Sequence, residues 1–226
     1  MPPHQHPHHQ GVPQPFGLAG TPVAFDTRPF RQVQENVWLD GTGDAVVLDF
    51  FNVVPDLPAP VEDPANLRAH MSARTAQGGM GLVELDVVGL DGMPAVRQVV
   101  KGPQPHHERG MAYLGTYTVP RDRCSVVVKV QCVEGPVTGT REAALFPGFL
   151  QQYRGDLPAA MAAWARHPYA QDIGGGTPRN QAEDVGWDAH FPDHPLSRAR
   201  RLLGALAYSL RFDPAFRALP PFRPRH

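Results

Sequence analysis

An α+β fold, with a mainly antiparallel β-sheet packed by helices and an amphipathic C-terminal helix lying on the sheet, is predicted by three features of the sequence. Apolar residues alternate with polar ones over most of residues 45–133, the period of half-buried strands. Turn residues punctuate these stretches at hairpin spacing. Near the end the period changes: Leu196, Leu203, Leu206 and Leu210 recur as one helical stripe.

In chain order, the head Met1 to Pro15 is rich in His and Pro and lacks the apolar content that offsets ordering entropy, so residues 1–20 are read as a disordered tail. From Ala45 to Val54, Val46, Leu48 and Phe50 share a face of a first strand. Pro64 to Ala76 reads as a short helix, N-capped by Asp63 and ended by Gly78-Gly79. In Leu82 to Val88, Val83, Leu85 and Val87 alternate with Glu84 and Asp86. Asp91-Gly92 then makes a turn, and Ala95 to Val100 is the return strand. A second hairpin runs from Met111 to Val119, turns at Pro120 to Arg123, and returns through Cys124 to Val133. There Cys124, Val126, Val128, Val130 and Cys132 share a face.

Residues 133–195 form a helical and loop insertion, with a short helix near Gly139 to Phe146 and an alanine-rich one opened by Asp156. The closing helix is capped by Asp193 or His194, carries Pro195 in its first turn, and sends Arg198, Arg201 and Arg211 from its wetter side. Residues 21–219 are then one domain, and 220–226 a frayed tail.

Composition excludes some classes of function. The formal net charge is −1, without the basic footprint of a nucleic-acid binder. No segment approaches the roughly 18–20 apolar residues of a membrane span. The head has neither a basic n-region nor an apolar core, which predicts a cytoplasmic protein without a secretory signal. Lys101 and Lys129 are the only lysines, a usage typical of a high-GC bacterial genome. Cys124 and Cys132, eight residues apart on one extended segment, are separated by about 26 Å at ~3.3 Å per residue. A disulfide between them is excluded, and their parity buries both as free thiols.

The order of strand, short helix, two hairpins and closing helix, carried by Val46 to Phe50, Val126 to Cys132 and Leu203 to Phe212, resembles the Mog1/PsbP-like fold, including its DcrB-like and LpqN-like bacterial members. The pattern covers about half the chain. The resemblance implies a binding role: proteins of this fold include an extrinsic photosystem subunit, a nuclear-transport cofactor, lipoproteins and chaperones of secreted effectors. It supplies no catalytic motif. The insertion at 133–195 departs from the simpler members.

The densest chemistry lies in Trp187 to Pro195. Asp188, His190, Asp193 and His194 are legitimate ligands for a divalent ion, while Trp187 and Phe191 serve equally to anchor the loop and Asp193 or His194 to cap a helix. Trp187, Asp188, His190, Asp193 and His194 are therefore a candidate binding loop. Arg141, at the start of a helix, is a candidate anion contact, and with Glu142 it also serves as a strand-to-helix corner. His106-His107-Glu108 reads as a solvated loop tip and Gly174 to Gly176 as a flexible linker without a phosphate-loop Lys. No serine has a nucleophile-elbow context. No catalytic residue, bound metal or cofactor is predicted. The expected role is a non-catalytic, protein-binding or chaperone-like accessory module whose partner is another protein. The alternatives are a metal-dependent or small-molecule enzyme using the 187–194 loop, and a self-assembling structural protein.

Overall fold

The computed structural model describes residues 17–104, 109–169 and 173–224. The His-rich segment of the head and the His106-His107-Glu108 triplet lie outside the described residues. The protein is α+β, as the alternation predicts. Its main sheet has seven strands in the order β2-β3-β4-β8-β7-β6-β5. These are β2 (Arg31–Gln34), β3 (Val37–Leu39), β4 (Ala45–Phe51), β5 (Gly81–Leu90), β6 (Met93–Pro103), β7 (Met111–Pro120) and β8 (Ser125–Val133). Every neighbouring pair is antiparallel.

The sheet joins two meanders. β2, β3 and β4 form one, and β5 to β8 the other; β8 closes onto β4 with Val46 opposite Val130 and Leu48 opposite Val128. Between them the chain crosses to the far edge through α1 (Pro64–Gln77). The Asp63 carboxylate accepts the Asn66 N–H at 3.2 Å, and Gly79 at φ 75° provides the left-handed exit. Leu67 of α1 covers Leu82, Leu85, Val96 and Val100 on one sheet face.

The opposite face carries the larger core. Val46, Leu48, Val126, Val128, Val130, Cys132, Tyr113 and Tyr117 pack beneath α4 (Pro195–Ser209), whose Leu196, Ala199, Leu203 and Leu206 are buried. Each fully buried leucine contributes about 1.5–3 kcal/mol. Gly115 allows the close approach of this helix. A Cβ there would stand 2.7 Å from Leu203 Cδ1 and 2.8 Å from Val130 Cγ2.

The ends of the chain are docked. β1 (Val23–Ala24) pairs with β11 (Arg211–Phe212), which follows α4 and leads into α5 (Pro214–Arg217). The frayed C-terminal tail expected from residue 220 is corrected here. Pro221 bridges Arg121 and Phe222 is buried, so apolar contact holds this segment down. Likewise Leu18 and Ala19 pack against the main core, which shortens the expected tail of residues 1–20. The linker reading of Gly174 to Gly176 is corrected at its end. A Cβ on Gly176 would lie 2.4 Å from the Met80 carbonyl oxygen, a tight packing position.

The insertion holds α2 (Thr140–Gln152), α3 (Leu157–Trp164) and a two-residue ladder of β9 (Ala165–Arg166) with β10 (Arg179–Asn180). α2 and α3 form a small arm in which Phe146 and Phe149 each pack edge-on against Trp164, with centroids 5.1 Å apart. Among the described residues, no helix is long and apolar enough to cross a membrane.

Candidate functional site

The candidate site grows from the sheet face beneath the first turns of α4. Cross-strand register sets Cys132 opposite Tyr113 and Tyr113 opposite Lys101, so a polar row continues from the apolar core toward β5. The 3-10 turn at Gln181–Glu183 drops Glu183 onto this row. Its carboxylate lies 2.8 Å from Lys101 Nζ, accepts the Tyr113 hydroxyl at 2.9 Å, and closes a capping box by accepting the Asn180 N–H at 2.9 Å. Burial, reinforced by the Glu183 charge, holds the Tyr113 phenol well above its ordinary pKa, so it remains the donor.

A second layer surrounds this pair. Arg200 donates to Glu84 at 2.7 Å, to Asp188 at 2.9 Å and to the Glu183 carbonyl at 2.9 Å. Burial opposes the ionisation of Glu84, but the Arg200 bonds and the charges of Arg200 and Arg97 outweigh it and hold its pKa below the usual value. Arg141, wholly buried, donates to the Asp184 carbonyl at 2.8 Å, to Ser197 Oγ at 3.1 Å and to Asp188 at 3.2 Å. The proposed anion contact at Arg141 is thereby corrected. Its two terminal nitrogens are engaged inside the protein, tying α2 to the 184–188 turn and to α4, while Nε is buried without a partner.

The loop residues divide into two groups. His190, Asp193 and His194 line a cavity of about 300 Å³ together with Glu134, Thr140, Phe191 and Arg198. Asp188 points inward to Arg141 and Arg200. Trp187 lies edge-on to His190, with centroids 5.7 Å apart, and remains exposed, so it does not anchor the loop as expected. His194 is the cap of α4: its Nδ1 accepts the Leu196 N–H at 3.2 Å.

Three groups in this corner resemble an ion site. One carboxylate oxygen each of Glu134 and Glu142 and a ring nitrogen of His194 lie within 4.8 Å of one another. Among the described residues neither glutamate enters an ion pair, although the buried Asp44 and Glu183 both do. Glu142 Oε2 and His194 Nε2 are buried without partners. Glu134 instead accepts the N–H groups of Met111 and Gly139, each at 2.8 Å. The tautomer limits the chemistry. With Nδ1 accepting a hydrogen bond, the neutral ring carries its proton on Nε2, and an ion bound there would displace that proton and release the cap. Burial, with the charges of Arg141, Arg198, Arg200 and Lys101, lowers the His194 pKa to about 3, so the ring is neutral near pH 7.

Lys101, Glu183, Arg200 and Glu84 were not anticipated as a group. Their contacts join positions 82 and 116 residues apart, and no local spacing encodes them. The alternation of β5 placed Glu84 on a polar face, and nothing in that pattern named its partner. Arg198, expected on a wetter side of α4, is half-buried and donates to Asp44 at 2.7 Å.

The arm is the other notable feature. α3 consists of Leu157, Pro158, Ala159, Ala160, Met161, Ala162, Ala163 and Trp164, and buries only Ala160 and Trp164. Leu157 and Met161 are each about half exposed. A helix apolar on all sides is ordinarily enclosed. No family model and no curated protein matches this chain.

Proposed function

We propose that this chain is a protein-binding accessory module, chaperone-like in its mode of action, that docks its partner on the α2–α3 arm. One observation carries the reading: α3 has no polar side chain, yet Leu157, Pro158, Ala159, Met161 and Ala162 face solvent. Exposed apolar surface of this kind marks interaction sites.

The flanking charges favour a different protein over a second copy. Arg154 precedes α3 and Arg166 follows it, both exposed. An antiparallel pairing of α3 with its own copy would set these like charges near each other, an arrangement that costs energy. A partner with an apolar groove and an acidic rim meets both features. The two free, buried thiols fit a reducing compartment, and on that ground we place the module in the cytoplasm.

The test compares the wild-type chain with Leu157→Glu/Met161→Glu. A stoichiometric protein that co-purifies with the wild type, and is lost with the variant while the purified chain stays monomeric by light scattering, supports the reading. A concentration-dependent dimer abolished by the same variant supports self-assembly and overturns it.

A second reading, a divalent-cation site, is favoured by Glu134 and Glu142, which enter no ion pair among the described residues and lie within 4.8 Å of a His194 ring nitrogen. A Mn²⁺-induced rise in melting temperature that is absent in Glu142→Gln supports it. A rise of the same size in Glu142→Gln would contradict it.

A further inference from the structure

Within the insertion, β9 and β10 set Arg166 directly opposite Arg179. Like charges facing each other across an antiparallel pair are destabilising, and this ladder is only two residues long. Arg166 makes no ion pair among the described residues, and Arg179 reaches only Asp184, at 3.4 Å. The Arg179 Nε is buried without a partner.

Both arginines line a polar cavity of about 320 Å³ with His167, Pro168, Asn180 and Gln181. His167 is only 5% exposed. Its Nε2 lies 3.0 Å from the Gly175 carbonyl; a carbonyl only accepts, so Nε2 carries the hydrogen. Its Nδ1 is buried with no partner. Asn180 Oδ1 is an unpartnered acceptor among these atoms, while its Nδ2 donates to Glu142 at 3.4 Å. Asp184, on the outer side of Arg179, is the nearby competing carboxylate.

We infer that Arg166, Arg179 and His167 form a binding pocket for a phosphate-class oxyanion. The two guanidiniums supply charge-assisted donors in planar geometry. An anion between them removes the like-charge opposition of the ladder and takes up the orphaned Arg179 Nε–H. The unpartnered His167 Nδ1 accepts a hydrogen bond from the hydroxyl of a hydrogen-phosphate ligand. The pocket stands independently of the α3 reading, because a free anion suffices to fill it.

The experiment is a calorimetric titration of the full chain with inorganic phosphate, at fixed ionic strength in a buffer lacking oxyanions. Saturable binding at one phosphate per chain is expected, weakened about tenfold or more in Arg166→Gln and Arg179→Gln, with far-UV circular dichroism confirming that both fold. Arg166 is exposed, so its variant removes charge without disturbing packing. Phosphoserine peptides identify the source: tighter binding than free phosphate marks a phosphorylated protein as the ligand, and equal or weaker binding marks a small phosphate compound. No saturable binding at millimolar phosphate overturns the pocket, as does binding that both variants leave unchanged, the sign of an adventitious ion only.

Discussion

Lys101 and Glu183, 82 residues apart in the chain, meet in an ion pair of 2.8 Å whose side chains are 4% and 0% exposed. The pair pins the 181–183 turn to β6, next to the edge strand of the sheet, and with it the whole run from β10 to α4. A buried pair of this kind contributes little net stability relative to an apolar replacement, but removal of one partner strands a charge. Lys101→Met is expected to destabilise the fold by about 3–5 kcal/mol in urea denaturation. The double variant Lys101→Met/Glu183→Gln is expected to recover part of that loss, since the amide oxygen keeps the Asn180 N–H bond and the amide nitrogen can donate to the Tyr113 hydroxyl oxygen.

Acid sensitivity follows from His194. Its folded pKa of about 3 lies below the ordinary 6.5, so between these values the unfolded chain binds the extra proton. The contribution is complete above pH 6.5 and is lost as pH falls toward 3, with a slope of up to about 1.4 kcal/mol per pH unit. In His194→Gln the stability profile between pH 6.5 and 5 is expected to flatten, a window above most carboxylate titration. An unchanged profile would show that the ring titrates in the folded protein as it does in the unfolded one.

Gly115 is a packing position. Its Cβ in Gly115→Ala would meet side chains of Leu203 and Val130 at 2.7 and 2.8 Å, and overpacking of this degree costs about 1–3 kcal/mol. A melting temperature unchanged within error would show that α4 has room to rise from the sheet.

Cys132 is fully buried, and burial, reinforced by Asp44, pushes its thiol far above the ordinary range. Cys124 is buried as well and shifted upward by the same cause. Ellman's reagent is expected to label neither thiol in the native state and both on unfolding. Rapid native labelling of Cys132 would contradict the packing of β8, and that of Cys124 the packing of the turn before it.

The sheet was legible where one face is apolar and the other wet. β8 shows this clearly, with Lys129 and Gln131 alternating against the valines. In β5, by contrast, a bulge between Leu82 and Glu84 sends Val83 to the α4 face and leaves Leu85 and Val87 on the α1 face. The single apolar face expected of Val83, Leu85 and Val87 is therefore not formed, and both faces are covered. α1 was legible from Asp63 as its cap and Pro64 behind it, and α4 from Asp193 or His194 ahead of Pro195, of which the structure selects His194. The β2–β3 hairpin escaped because Arg31–Gln34 is exposed along its length, leaving no alternation to read. β1 escaped because its two residues become a strand only through Phe212 and Arg211. At the site, His190, Asp193 and His194 were recognisable from their spacing. The inward turn of Asp188 and the burial of Arg141 were not, because both depend on ion pairs between segments remote in sequence. The Arg166–Arg179 opposition depends in the same way on a register formed across a twelve-residue loop.

The central claim, that α3 is apolar for a partner's sake and not for its own fold, is tested most directly by urea denaturation of Leu157→Glu/Met161→Glu. Glutamate matches leucine and methionine in helix propensity and suits the first turns of a helix. Both side chains are about half exposed, so the double variant is expected to unfold within about 0.5 kcal/mol of the wild type. A loss of more than about 2 kcal/mol would show that these residues are enclosed by the chain itself, and would contradict the account.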